Sequence, residues 1–202
     1  KYGILPDFVA SCSVGSLNAA SLVESLDTER PAKIWREKIH GPRDIFDKNP
    51  MRQGKILSDI AEEIGELRHT RGFLTSFLPK FLRVGVRILW NYKKIWRTPS
   101  LHSAEPLKQM MHNNVDYEKI IHSPIELEII CANRKTSRKT VFSNRKITDP
   151  EMMFNAIIAS ASISGIFPAV EIDGEEYVDG SPADALPLIN ALEQNCKSIF
   201  VF

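Results

Sequence analysis

The first forty residues predict a short buried strand followed by two helices. The apolar run over residues 8–10 is long enough for a strand, and it leads directly into a group of small residues. Residues 14–26 predict a helix that ends at a polar cluster. Pro31 then opens a second helix, at the first-turn position that proline favours, and this helix runs to about Ile39.

A helical pattern of a different character occupies residues 56–97. Apolar residues recur at helical spacing up to Glu66, and no acidic residue follows until Glu105. Over residues 68–97, basic and aromatic side chains are interleaved. This composition is typical of a membrane interface, where apolar side chains enter the acyl boundary and cations meet lipid phosphates. A helical cap packed on the core, with solvated basic residues, is the other interpretation, and the two are compatible.

From residue 124 onward the pattern changes to short strands. A basic turn separates two of them, and the dipeptide Asp173-Gly174, a strong hairpin-turn signal, separates two more. One helix lies between these pairs. The elements predicted for this half are strands over 125–132, 139–143, 169–172, 175–178 and 198–202, and a helix that starts within residues 148–151, which include Pro150, and continues over 152–161.

Composition narrows the class of protein without identifying it. The 202 residues are 43% hydrophobic and 25% charged, with a net charge of +1, as in an ordinary globular domain. No apolar run approaches the length of a membrane span, and no signal peptide is visible. The three cysteines form neither a paired framework nor a metal-binding spacing. The basic charge is local and no nucleic-acid-binding motif accompanies it, so we expect no nucleic-acid partner.

The most informative segment is Ser11-Cys12-Ser13-Val14-Gly15, between the first strand and the first helix. Small residues around a serine at such a junction predict a nucleophile elbow, a sharp turn that presents the hydroxyl at the positive end of the following helix. Gly15 meets the need for a small neighbour, while Ser11 stands where the usual G-x-S-x-G pattern has glycine. Packing alone can also produce such a turn, and Cys12 is either a reactive thiol or a small buried residue.

A serine needs a base, and Asp179 is the best candidate for it. The order serine, acid, histidine is not possible here, because every histidine precedes the C-terminal β-rich half. Asp173 is explained by its hairpin turn, whereas Asp179 lies at a strand end followed by two small residues. A role in an Asp-Gly turn is the alternative for Asp179. The histidines are His40, His69, His102, His112 and His122.

These segments together resemble the patatin-like phospholipases. The resemblance lies in the elbow and its lead-in (residues 3–19), in the Ser-Gly-Ile-Phe-Pro block (159–170), in the Asp-Gly block (177–181) and in Leu-Pro-Leu (186–188). It covers residues 3–20 and about 100–202, and for residues 45–98 we find no resemblance that we can name. The family has an α/β fold and a Ser-Asp dyad without a catalytic histidine.

The resemblance implies a lipid acyl hydrolase that needs no metal or cofactor. Ser13 would be the nucleophile, Asp179 its base, and the backbone N–H of Val14 part of the oxyanion hole. The family's glycine-rich oxyanion loop lies upstream of the elbow, and we expect it to have been cut away or to belong to a segment that precedes residue 1. Serine at position 11 departs from the family pattern and marks a tighter elbow or a divergent subfamily.

The implied architecture is a three-layer α/β/α sandwich with a mostly parallel central sheet. We expect a single domain over residues 1–202, incomplete at both ends, with residues 46–104 as an inserted basic helical cap. The expected partner is a phospholipid or other lipid ester, with peripheral membrane contact through residues 68–97 and a cytoplasmic or peripheral-membrane location. The alternative function is a non-catalytic lipid-binding or membrane-scaffold protein that retains the fold.

Overall fold

A computed structural model of the protein describes residues 5–41, 44–46, 100, 102–194 and 196–201. Within these residues the structure contains five strands and three helices that the sequence predicts, together with four helices that it does not. The described helices are α1 (Val14–Ser25), α2 (Arg30–Lys38), α3 (Glu105–Asn114), α4 (Tyr117–Ile121), α5 (Pro150–Ser160), α6 (Ser181–Asp184) and α7 (Leu188–Glu193). The described strands are β1 (Phe8–Cys12), β2 (Glu126–Asn133), β3 (Lys139–Ser143), β4 (Val170–Ile172) and β5 (Glu175–Asp179).

Local chemistry explains where several of these elements begin and turn. The Asp149 carboxylate accepts a hydrogen bond from the Glu151 N–H, and Pro150 occupies the first turn, so α5 starts with a satisfied N-terminus. Asp173 and Gly174 both have positive φ, at 51° and 76°. Two positive φ values in a two-residue loop match the right-handed twist of the strands that it joins. The predicted hairpin between β4 and β5 is therefore confirmed.

The sheet is mixed, with β2 at its centre. β1 pairs with β2 in parallel, whereas β2 pairs with β3 and β5, and β4 with β5, in antiparallel orientation. The α/β fold is confirmed. The expectation of a mostly parallel sheet is corrected for the described strands, which form one parallel and three antiparallel pairs. Tight connections join β2 to β3 and β4 to β5, and only antiparallel neighbours can be joined that way.

Two strands share one edge of β2 and meet end to end. Glu128 pairs with Ala10 of β1 on one side and with β3 on the other, so β1 and β3 lie on opposite edges. Ala132 likewise pairs with β3 and with Val178 of β5, which places β5 on the edge that β1 occupies. The last residue of β1 faces Ile130, and the last residue of β5 faces Cys131. The carboxyl ends of β1 and β5 therefore abut.

Helices cover both faces of β2. Its odd-numbered residues Leu127, Ile129 and Cys131 belong to the main core, together with buried side chains of α1 to α5. On the opposite face the Glu128 carboxylate accepts a hydrogen bond from Asn190 of α7 at 2.5 Å. Since successive residues of a strand point to opposite faces, this arrangement forms the three layers of the sandwich.

Two expectations concern other parts of the chain. The strand predicted over residues 198–202 is wrong for residues 198–201, which have no strand pairing in the described part of the chain, and Phe200 is 73% exposed. An apolar run becomes a strand only where an edge accepts its backbone hydrogen bonds. The basic cap predicted over residues 46–104 falls mostly on residues outside the described ones (47–99 and 101), and it stays a prediction.

Candidate active site

Ser13 lies alone between the end of β1 and the start of α1. Its φ of 56° and ψ of −136° are unusual for a residue with a side chain. Such a conformation costs free energy and persists only where the surroundings hold it. Its hydroxyl does not cap the helix and is turned elsewhere. This is the backbone geometry that the elbow hypothesis requires.

The Ser13 hydroxyl donates a hydrogen bond to Asp179, with 2.5 Å between Ser13 Oγ and Asp179 Oδ2. Asp179 is only 4% exposed at the end of β5. Its second carboxylate oxygen, Oδ1, accepts from the Ser181 N–H at 2.7 Å. A hydroxyl-to-carboxylate bond of this length is in the short, charge-assisted range. The structure thus brings together the two residues that the sequence singled out.

The strand arrangement explains this meeting. Ser13 follows the residue that faces Ile130, and Asp179 faces Cys131, the next residue of β2. Because β1 and β5 approach each other along one edge of β2, their carboxyl ends place the two side chains at one point. Ser13 and Asp179 lie 166 positions apart in sequence and meet at this junction.

The small residues of the elbow have different roles from those expected. A Cβ at Gly15 would meet nothing within 4 Å, so packing does not require glycine there. Ser11 is buried, and its hydroxyl lies 3.3 Å from the Glu128 carbonyl oxygen, so the serine fits where the pattern has glycine. The tight glycine of the site is Gly180, where a Cβ would lie 2.4 Å from the Ile130 carbonyl oxygen.

Val14 is the first residue of α1, and its side chain is 47% exposed. The first N–H groups of a helix have no acceptor within the helix, and they form the positive end of its dipole. The Ser13 N–H, by contrast, is engaged: it donates to the Ser160 hydroxyl at 3.0 Å. Of these two adjacent backbone donors, the Val14 N–H is the one suited to an oxyanion.

Sequence reasoning missed a buried serine cluster beneath the elbow. Ser160 Oγ lies 2.9 Å from Ser16 Oγ and 2.7 Å from the Ile130 carbonyl oxygen, and both side chains are fully buried. The signal was present in the repeated small residues after residue 158, which the family resemblance covers. Nothing in the local pattern indicates that one of them reaches the backbone of Ser13.

Cys12 lies next to Ser13, but its surroundings disfavour a thiolate. Its Sγ lies 3.6 Å from Ser181 Oγ. Burial, together with the carboxylates of Asp179 and Asp184, raises the pKa of the Cys12 thiol. A raised pKa keeps the thiol protonated near neutral pH and makes it a weak nucleophile. Of the two interpretations of Cys12, the structure favours the small, partly buried residue.

Two of the histidines are engaged away from Ser13. His122 pairs with Glu118 at 3.2 Å on the exposed surface, and the His112 ring packs edge-on against Phe154. Within the described ranges, no group of three or more histidine, cysteine or acidic side chains is arranged to hold a metal ion. No helix among the same residues has the length and apolarity to cross a membrane.

The fold and the site define an α/β protein with a serine elbow that faces a buried carboxylate. Comparison with protein families gives the family: the model described as patatin-like phospholipase matches residues 1–192. The chain belongs to the patatin-like phospholipase family, whose members are generally lipid acyl hydrolases.

Proposed function

We propose that this protein hydrolyses carboxylic esters of lipids with Ser13 as nucleophile and Asp179 as general base. The observation that carries the proposal is the 2.5 Å hydrogen bond from Ser13 Oγ to Asp179 Oδ2 at a strained strand-to-helix turn. A serine hydroxyl becomes an effective nucleophile when an adjacent base accepts its proton, and this bond supports that role for Asp179.

The reaction proceeds in two acyl-transfer steps. In the first, Ser13 Oγ attacks the ester carbonyl carbon while its proton passes to Asp179. The tetrahedral intermediate then collapses, the bond to the alcohol oxygen breaks, and Asp179 returns the proton to the leaving alcohol. In the second, water attacks the acyl-serine, its proton passes to Asp179, and Ser13 leaves with that proton as the fatty acid departs. In both steps the Val14 N–H donates to the oxyanion.

A lipid substrate is supported by the family and by two exposed apolar residues, one next to Ser13 in sequence and one next to a backbone partner of Asp179. Val14, beside the nucleophile, is 47% exposed, and Ile163 is also an exposed apolar residue. Ile163 follows Ser162, whose carbonyl oxygen accepts a hydrogen bond from the Asp179 N–H at 3.0 Å. Exposed apolar groups at these two positions suit an acyl chain better than a polar substrate.

The direct test measures ester hydrolysis by Ser13→Ala on a lysophospholipid, a phospholipid vesicle and a soluble short-chain ester. We expect a loss of at least about a thousandfold on every substrate that the wild type hydrolyses. Ser137→Ala is the matched control, because Ser137 also has a positive φ, at 58°, but lies exposed in the turn after β2. Hydrolysis retained in Ser13→Ala contradicts the proposal. A folded wild type that binds these lipids and hydrolyses none of them supports the scaffold function instead.

We also propose that residues 68–97, which lie outside the described residues, contact anionic membranes. Co-sedimentation with anionic vesicles should fall in high salt and after Lys93→Glu with Lys94→Glu, because screening or reversal removes the attraction to lipid phosphates. The control is Lys33→Glu with Lys38→Glu on α2, where both side chains are exposed. Binding that is indifferent to lipid charge and to salt contradicts the proposal.

A further inference from the structure

We infer that Ser160 is a positioning residue that fixes the backbone of the nucleophile. This inference rests on the proposed function and concerns a residue that touches neither substrate nor base in that mechanism. Ser160 is the last residue of α5 and is fully buried, and its hydroxyl accepts a hydrogen bond from the Ser13 N–H at 3.0 Å. It is the contact from α5 to the peptide group whose conformation defines the elbow.

The hydrogen-bond partners of the Ser160 hydroxyl fix its orientation. A carbonyl oxygen can only accept, so Ser160 donates its single proton to Ile130 at 2.7 Å. Its lone pairs then accept from the Ser13 N–H and from the Ser16 hydroxyl, at 3.0 and 2.9 Å. The Ser160 oxygen thus makes three hydrogen bonds, with β2, the elbow and α1. Such a fully satisfied buried hydroxyl is held rigidly.

Ile130 of β2 accepts the hydrogen bond that holds the Ser160 hydroxyl in place. It is the residue of β2 that faces the end of β1, and its neighbour Cys131 faces Asp179. The Ile130 carbonyl, which accepts the hydrogen bond from Ser160, therefore lies at the junction of the two strands that carry the dyad. Gly180 packs against the same carbonyl from the β5 side. Ser160 links the nucleophile to the residue of β2 that separates the two strand ends.

The end of α5 contacts both members of the dyad. The Ser160 hydroxyl accepts a hydrogen bond from the Ser13 N–H. Two residues later, the Ser162 carbonyl oxygen accepts one from the Asp179 N–H at 3.0 Å. Residues 160–162 therefore contact the backbone of both Ser13 and Asp179, and they help to fix the distance between the two side chains. Because Ser13 is held at a strained φ, removing one of its backbone contacts allows the elbow to relax. The hydroxyl then moves away from the carboxylate.

The test compares Ser160→Ala with the wild type by two rates. One is the second-order rate of covalent labelling at Ser13 by a fluorophosphonate, and the other is kcat for ester hydrolysis, each normalised to the folded fraction from circular dichroism. We expect both to fall about 10- to 100-fold with KM within about twofold, because misplacement of a reacting group acts on the chemical step. Rates equal to those of the wild type would overturn the inference, and so would a loss confined to KM.

Matched variants separate positioning from simple loss of stability. Ser21→Ala removes another buried hydroxyl that donates to a carbonyl of α1, at 3.0 Å, and should leave both rates within about twofold of the wild type. Equal losses in Ser21→Ala and Ser160→Ala would mean that any buried serine behaves alike and would overturn the inference. If Ser160→Ala does not fold, Ser160→Cys keeps the shape with a weaker acceptor and should label at an intermediate rate; labelling at the wild-type rate overturns the inference.

These outcomes are distinct from failure of the proposed function. A wild-type protein that is not labelled at Ser13 contradicts the dyad itself, whatever Ser160 does. A labelled wild type with an equally reactive Ser160→Ala contradicts only the positioning role.

Discussion

Ser13 and Asp179 reach their common hydrogen bond by two different routes. Ser13 is presented by a local feature, a strained turn between a strand and the helix that immediately follows it. Asp179 has an ordinary backbone conformation within a strand. It is an ordinary strand residue whose place depends on the register of β5 against β2 and on the hairpin that delivers β5.

This difference separates what a short sequence motif encodes from what only the folded topology provides. The elbow is recognisable within a few residues, because the small residues around Ser13 follow one another in the sequence. The proposed base, Asp179, is recognisable only through the whole sheet, since its neighbours in sequence fit an ordinary Asp-Gly turn equally well. The following substitutions sharpen this comparison, from the largest expected effect to the smallest.

The largest effect is expected for Asp179→Asn, which removes the charge of the base while keeping its size and its acceptor for the Ser181 N–H. Ester hydrolysis should fall about 10²- to 10⁴-fold, because a neutral amide does not take the Ser13 proton. The control is Asp173→Asn, the same chemical change at the hairpin turn, where asparagine also tolerates positive φ. Comparable losses in the two variants would mean that the charge of Asp179 has no special role.

A smaller effect separates the glycine of the motif from the glycine of the structure. Gly180→Ala should lower the free energy of unfolding by about 1–3 kcal/mol, because the added methyl group overlaps the Ile130 carbonyl. Gly15→Ala should leave it unchanged or slightly higher, since the new Cβ meets no atom and alanine favours the helix. Urea unfolding curves measure both. The reverse order would show that the elbow, and not the strand junction, is the crowded point.

The smallest effect concerns Ser11, the departure from the family pattern. Ser11→Gly restores the usual residue but removes a buried hydroxyl that contacts the Glu128 carbonyl, and it loosens β1. We expect a loss of about 1 kcal/mol in the free energy of unfolding and fluorophosphonate labelling within a few-fold of the wild type. A large gain in labelling rate would show instead that Ser11 impairs the elbow.

Much of the fold could be predicted from the sequence, because its signals are local. The apolar run of β2, Pro150 at the start of α5 and the Asp173-Gly174 turn each fix an element through short-range chemistry. Both residues of the candidate dyad could also be predicted from the sequence. Ser13 lies in a recognisable motif. Asp179 is the best candidate for the base because every histidine precedes the C-terminal β-rich half and because the segments that resemble the family occur in the family's order.

The remainder depends on contacts that no local pattern carries. That β1 and β5 share one edge of β2 follows from the registers around Glu128 and Ala132, and sequence spacing contains no trace of it. The same holds for Ser160, which meets the Ser13 N–H across 147 positions, and for Gly180, whose crowding is created by Ile130. Such long-range meetings become visible only when the strands are placed beside each other.

The most direct test of the Ser13–Asp179 dyad is peptide mapping by mass spectrometry after exposure to a fluorophosphonate. Wild-type protein and Asp179→Asn are treated under identical conditions, and the modified residue and its rate of modification are determined for each. The dyad predicts modification at Ser13 in the wild type and a rate at least about a hundredfold lower in Asp179→Asn. An unmodified Ser13 in the wild type, or equal rates in the two proteins, would contradict it.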